Sequence, residues 1–232
     1  RLMIDFHYSD SWADPGKQTK PAAWKSLSFE ELKGAVAGHT KEILQALKAK
    51  GISPEWVQVG NETGNGMLWP DGQADKSMSQ YAALNNAGYA AVKSVFPDAK
   101  VIVHLQNGQD KSLFRWLFDG LKANGGKWDL IGMSLYPGVT NWKGMVNDCV
   151  ANIQEVTKRY GTDVIICETG MPWDKAAVAK AFLTDLFERT QALGNVHGIH
   201  YWEPEAYNGW NGYTLGAFDA SGRPTEALDA FK

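Results

Sequence analysis

Cysteine is scarce in this chain: Cys149 and Cys167 are the only two among 232 residues. Two thiols cannot build a disulfide framework or a cysteine-based zinc cluster. Cys149 falls on the apolar face of a predicted helix and Cys167 inside a predicted strand, so both are expected as buried thiols. No apolar run reaches the roughly 18 residues that a membrane-spanning helix needs. Neither sign of charge dominates: 23 Lys and Arg stand against 26 Asp and Glu, a net charge of −3. No basic cluster of the kind that holds nucleic acid or an anionic membrane occurs, so neither partner is expected. The glycine-rich phosphate loops GxGxxG and GxxxxGKS/T are missing as well. The opening residues, Arg1-Leu2-Met3-Ile4-Asp5-Phe6, read as a strand and not as an export signal.

What is present is apolar content of 44%, enough for one sizeable core, and ten tryptophans. Trp12, Trp24, Trp69, Trp142, Trp173, Trp202 and Trp210 lie in apparent loops beside Gly, Pro, Asp or Asn. Loop tryptophans either pack their loop onto the scaffold or present flat apolar platforms that suit the C–H faces of sugars. Trp116 sits inside a periodic segment and is expected in the core.

Short β-branched or apolar runs predict strands over Leu2–Tyr8, Trp56–Asn61, Lys100–Leu105, Leu130–Tyr136, Asp163–Glu168 and Gly198–Trp202. Helical periodicity fills the intervals. Phe29–Lys50 opens with a capping box, Ser28 with Glu31, and places Leu32, Val36, Ile43, Leu44 and Leu47 on one stripe. Ser79–Phe96, Lys111–Asn124 (with Leu113, Trp116, Leu117 and Leu121), Trp142–Tyr160, Asp174–Leu193 and a short Thr225–Phe231 follow. Alternating strands and helices imply a parallel sheet. Loops after the strands are long and rich in Trp, Gly, Asp and Asn, whereas those before the strands are short. That asymmetry predicts an α/β fold of the (β/α)8 TIM-barrel type with its working face at the strand C-termini. A doubly wound open sheet is the competitor. Only six βα units are visible where such a barrel has eight, so residues 1–232 are expected to form a single barrel domain lacking its first two units.

The strand ends carry polar and aromatic groups: Asp5 and His7, Asn61-Glu62, His104 with Gln106, Tyr136, Glu168, and Trp202 with Glu203. Glu62 and Glu168 each close a β-branched run, with Gly64 and Gly170 shortly after. A pair of facing carboxylates is the minimal equipment for cleaving a glycosidic bond. Taken singly, a lone His at a strand end is more often structural, and an Asn-Glu pair before Gly occurs in many turns. The set as a whole resembles the clan A glycoside hydrolases, (β/α)8 barrels with an Asn-Glu at the fourth strand and a nucleophilic Glu at the seventh.

The resemblance narrows on Asp5-Phe6-His7-Tyr8-Ser9-Asp10, Trp12-Ala13-Asp14-Pro15-Gly16-Lys17-Gln18, Pro21-Ala22-Ala23-Trp24, Val57-Gln58-Val59-Gly60-Asn61-Glu62 and Gly66-Met67-Leu68-Trp69-Pro70. These stretches look like the endo-β-1,4-galactanases, the arabinogalactan-degrading glycoside hydrolase family 53. The resemblance runs the length of the chain, specific over the first 70 residues and looser over the last 60. An arginine that the family brings from its early strands has no counterpart here, and Gln106 stands where many relatives have an acidic residue.

The resemblance implies a retaining, endo-acting hydrolysis of β-1,4-galactan, with Glu62 as acid/base and Glu168 as nucleophile. It implies substrate-binding roles for Asp5, His7, Trp12, Asn61, Trp69, His104, Tyr136 and Trp202. This chemistry requires no cofactor and no catalytic metal. A structural calcium in the last long loop, Pro204–Gly222, would have only Glu205, Asp219 and backbone oxygens to bind it. The implied partner is the polysaccharide itself, the expected state a monomer, and the expected location outside the cytoplasm, since the polymer is too large to enter a cell. Two alternatives stay open from the residues: another clan A activity such as mannanase, cellulase or exo-galactosidase, and a non-catalytic glycan-binding fragment.

Overall fold

The computed structural model describes all 232 residues. Six strands, β1 (Met3–Phe6), β2 (Trp56–Val59), β3 (Lys100–Leu105), β4 (Leu130–Leu135), β5 (Val164–Thr169) and β6 (Val196–Tyr201), form one sheet in the order of the chain. The pairs β1/β2, β2/β3 and β5/β6 are parallel. Five helices separate them: α1 (Phe29–Ala49), α2 (Met78–Val95), α3 (Lys111–Ala123), α4 (Trp142–Tyr160) and α5 (Ala176–Leu193). Strand order decides between the two architectures. A doubly wound sheet reverses direction at a switch point; here every strand sits beside its sequence neighbour, as in a (β/α) barrel. The segments after the strands, 7–28 and 60–77 above all, are much longer than those before them, 96–99, 161–163 and 194–195.

The chain packs as two compact units, 1–106 with 112–131, and 107–111 with 132–232. In the first, α1 starts where the Ser28 hydroxyl accepts from the Glu31 N–H and the Glu31 carboxylate accepts from Ser28 N–H, a complete capping box. Helix α1 buries Leu32, Val36, Thr40 and Leu44 and packs against α2. Thr40 belongs to this stripe despite its hydroxyl, which donates to the Val36 carbonyl and also meets the Tyr8 hydroxyl at 2.6 Å. Ile43, expected on the buried face, is exposed. Along α3 the buried residues are Phe114, Leu117, Phe118 and Leu121, one residue out of phase with part of the expected stripe. Trp116 is consequently not a core residue but 43% exposed. Phe118 takes its place at the centre, stacked on Phe114 and edge-on to Trp128 at 5.2 Å.

In the second unit, β5 is buried along its whole length and α4 contributes Val146, Cys149, Ile153 and Val156 to the core. Gly161 closes α4 in the left-handed conformation (φ 65°), which a residue without a Cβ adopts at no steric cost. Both cysteines are free and buried as expected, and burial pushes the Cys149 thiol up to about 12, leaving it protonated and inert. Helix α5 begins at Ala176 after a single 3₁₀ turn at Trp173–Lys175, two residues later than its periodicity suggests. The closing helix is also 3₁₀, Glu226–Phe231, and sets Phe231 edge-on to Phe187 of α5 at 4.9 Å.

Candidate active site

Two of the sequence expectations about strand ends need correction. Strand β2 stops at Val59, so Glu62 does not close a strand. Gly60 (φ 88°) and Glu62 (φ 47°) both take left-handed backbone and turn the chain away from the sheet direction. For a residue with a Cβ this costs about 1–2 kcal/mol, so the surrounding hydrogen bonds must hold the turn in place. Glu168, by contrast, lies inside β5, which runs one residue further to Thr169.

In the first unit the structure joins the side chains of four of the expected site residues in two linked chains of hydrogen bonds. The Ala13 N–H donates to His7 Nδ1 at 2.9 Å, so in the neutral ring Nε2 bears the proton and donates to Asp5 Oδ2 at 3.0 Å. The other oxygen, Asp5 Oδ1, is buried with no partner. Asn61 is oriented by a similar deduction. Its Nδ2 donates to the Ala13 carbonyl at 2.9 Å, which leaves Oδ1 facing His104 Nδ1 at 2.9 Å. Gln58 Nε2 at 3.2 Å and the Glu62 N–H at 3.5 Å approach the same ring nitrogen. His104 is fully buried, and burial drives its pKa from 6.5 down to about 4, keeping the ring neutral; the charge of Asp5 opposes this shift and that of His7 adds to it.

Glu62 follows Asn61 on this braced turn and is itself half-buried. Its neighbour Thr63 completes the bracing: the Thr63 N–H and hydroxyl both meet the His104 carbonyl, and the hydroxyl also pairs with the buried Tyr81 hydroxyl at 2.7 Å. Trp12 is 51% exposed on the loop following β1, beside a cleft lined by Ser9, Asp10, Ser11, Asp14 and Lys17. Trp69 is tied into its own loop, with its indole N–H donating to the Asn65 carbonyl and its backbone N–H to the Gln18 carbonyl.

In the second unit the Tyr136 hydroxyl donates to Glu168 Oε2 at 2.8 Å, and Glu168 is 8% exposed. The Trp202 backbone N–H bonds the Thr169 carbonyl at 2.9 Å, fixing Trp202 just beyond Glu168 in the neighbouring strand. Its ring stands edge-on to Tyr213 at 4.7 Å. Sequence reading missed Tyr213. Its phenol is raised well above the usual range, by burial first and by the nearby Tyr201 and Glu168, while a hydrogen bond with Tyr136 acts in the opposite direction. Tyr213 thus neighbours the phenol that serves Glu168, and its own hydroxyl lies 3.4 Å from the Trp202 carbonyl. Tyr201 anchors the same loop by donating to the Leu215 carbonyl at 2.9 Å. No local signal marked Tyr213, which lies in a Gly- and Asn-rich loop with no periodicity.

No group of three or more His, Cys, Asp or Glu side chains converges to hold a metal ion. In the last long loop, Asp219 is already committed. Its Oδ1 accepts from the Ser221 hydroxyl and from the Ser221 and Arg223 N–H groups, and its Oδ2 from Arg223 Nε. The Ser221 bond first, then that of Arg223, brings the Asp219 carboxyl down to about 2.

The singly wound order of strands and alternating helices is that of a (β/α) barrel, of which this chain supplies six strands. Residues 1–231 match the family model described as glycosyl hydrolase family 53. The chain belongs to glycosyl hydrolase family 53. Among curated proteins it is 32% identical over 226 residues to a probable arabinogalactan endo-β-1,4-galactanase A of Neosartorya fischeri, covering 88% of this chain and 63% of that one. Among solved structures, the family 53 catalytic domain of Ignisphaera aggregans superimposes with a TM-score of 0.87 at 31% identity, over 99% of this chain and 72% of that one. A structure from a study of two fungal β-1,4-galactanases gives 0.89 at 27% identity, over 99% and 76%. The chain thus spans just under two thirds of the length of the curated galactanase it matches. No helix is long and apolar enough to cross a membrane.

Proposed function

We propose that residues 1–232 belong to the catalytic barrel domain of a retaining endo-β-1,4-galactanase acting on the galactan side chains of pectic arabinogalactan, with Glu62 as acid/base and Glu168 as nucleophile. The single observation that carries the residue assignment is the Tyr136–Glu168 hydrogen bond. A phenol donating at 2.8 Å to one oxygen of a nearly buried carboxylate favours its ionised form and fixes its rotamer, both of which a nucleophile needs. The galactan specificity rests on the family and on what the matched galactanase is named for.

In this reading the Glu168 carboxylate attacks the anomeric carbon while Glu62 gives its proton to the departing glycosidic oxygen. The C–O bond to the leaving sugar breaks and a glycosyl ester forms on Glu168. Glu62, now ionised, removes a proton from water, whose oxygen attacks the same carbon and releases Glu168. The mechanism requires the two carboxyls about 5–5.5 Å apart, a spacing at which mutual repulsion keeps one protonated until the other is esterified. Asn61 contributes its amide to a sugar hydroxyl, Trp202 floors the sugar at the cleavage point, Asp5 and His7 orient hydroxyls around it, and the buried His104 acts through Asn61. Trp12 and Trp69 serve as more remote platforms. The enzyme works as an exported monomer, because its substrate is a polymer outside the cell.

The test is Glu62→Gln on linear galactan. The expected outcome is a loss of turnover of about 10²–10⁴-fold with oligosaccharide binding retained. Equal inertness of wild type and variant, with binding intact, would establish a glycan-binding protein in its place. Preferential hydrolysis of mannan or cellulose in a polysaccharide panel would reassign the substrate.

A further inference from the structure

We infer that Gln18, in the loop following β1, is a positioning residue for the acid/base turn; this rests on the role of Glu62 proposed above. Gln18 is a polar side chain in a stretch rich in charge and proline, yet it is only 2% exposed. Its amide nitrogen donates to the Asn61 carbonyl at 2.8 Å and to the Asp14 carbonyl at 3.0 Å, and the Glu62 carbonyl lies at the limit of the same nitrogen, 3.5 Å. The two hydrogens of the amide thus serve the peptide groups that flank the strained Glu62 backbone and the loop that carries Ala13. The Gln18 backbone carbonyl separately accepts from the Trp69 backbone N–H at 2.7 Å, a bond that any side chain at position 18 leaves in place.

Glu62 needs such a support for a specific reason. Its left-handed φ of 47° lies outside the strand, so no sheet hydrogen bond fixes the direction in which its Cα–Cβ bond leaves the chain. On the N–H side these peptide planes are held by His104, through Glu62 N–H to Nδ1 at 3.5 Å and Thr63 N–H to its carbonyl at 2.8 Å; on the carbonyl side they are held by Gln18. Asn61 is held at its side chain by Ala13 and His104, and at its backbone by Gln18. Removing the Gln18 donors frees the carbonyl to rotate, which swings the next Cβ. Proton donation to a departing oxygen tolerates little displacement: a shift of about 1 Å costs on the order of 100-fold.

The experiment is a leaving-group series of aryl β-1,4-galactobiosides, from phenyl to 2,4-dinitrophenyl, measured on the intact protein as wild type, Gln18→Met and Glu62→Ala. Methionine keeps the length and lacks the donors. A phenyl leaving group needs the proton, whereas dinitrophenolate departs without it. Gln18→Met is expected to lower kcat/KM on the phenyl substrate by roughly 100-fold while staying within about threefold of wild type on the dinitrophenyl substrate, with KM little changed. An equal loss on every aglycone, or no loss, would overturn the inference. If Glu62→Ala itself shows no leaving-group dependence, the assignment of Glu62 fails, and the inference with it. Should Gln18→Met fold poorly by circular dichroism, Gln18→Asn, which keeps the amide but withdraws it from the Asn61 carbonyl, must show the same slope; a flat series for that variant refutes the positioning role.

Discussion

Acidification from pH 7 to pH 4 is expected to remove about 3 kcal/mol of folding stability through His104 alone. The ring is buried and neutral in the native state, with its pKa lowered from 6.5 to about 4, and it recovers the higher value on unfolding. The sign follows from proton counting. Between these two values the unfolded chain binds a proton that the native chain refuses, so acid favours unfolding. Stability from this source is complete above pH 6.5 and declines by roughly 1.4 kcal/mol per pH unit as the pH falls toward 4. For a protein held by about 5–15 kcal/mol, that is a large share. The carboxylates of Glu31, Asp219 and Asp229, each held low first by a hydrogen bond from Ser28, Ser221 and Lys232 respectively, begin to lose their contributions as the pH falls below their ordinary values, 4.5 for Glu31 and 3.8 for the two aspartates. The assay is urea unfolding of wild type and His104→Asn at several pH values. Removing the ring also strips a partner from Asn61 and gives a constant offset; the difference between the two proteins must nevertheless shrink by about 3 kcal/mol from pH 7 to pH 4. A difference independent of pH would refute the neutral, buried assignment.

Replacing Tyr136 by Phe removes the phenol that donates to Glu168 Oε2 at 2.8 Å. A hydrogen bond to a charged group is worth about 1.5–3 kcal/mol, so kcat/KM on galactan is expected to fall roughly 10- to 150-fold, with folding stability measured alongside; unchanged kinetics would remove Tyr136 from the site. Gly88→Ala on α2 would set a methyl 2.5 Å from Val59 Cγ1 and 3.2 Å from the Tyr8 hydroxyl. The close approach of α2 to β2 has no room for it, and thermal melting should report a loss of about 1–3 kcal/mol. Ser28→Ala removes the hydroxyl arm of the capping box on α1 and leaves the backbone arm, and should cost about 1 kcal/mol in the same assay.

Much of this fold is fixed by local signals. The period-two and continuous apolar runs put six strands where they are found, because a chain segment covered on both faces has few alternatives. The capping box at Ser28 and the glycine at 161 set helix ends through hydrogen bonds and backbone freedom that belong to adjacent residues. Glu62, Glu168, Asn61, His104 and Tyr136 stood out because polar groups at the ends of such strands have no structural need of their own. The errors have a common origin. Along α3, Trp116 and Phe118 satisfy helical spacing equally well, and only the position of Trp128 selects which of the two is buried.

The sequence by itself determined the alternation of strands and helices, the family, and which acidic side chains to watch, since each depends on residue order and short-range chemistry. Tertiary structure alone decided the singly wound strand order, the tautomer of His7, the burial of Gln18 and His104, and the place of Tyr213 beside Tyr136. Those depend on which distant carbonyls and hydroxyls come within 3 Å once the long loops close over the strand ends, a relation that sequence spacing does not encode.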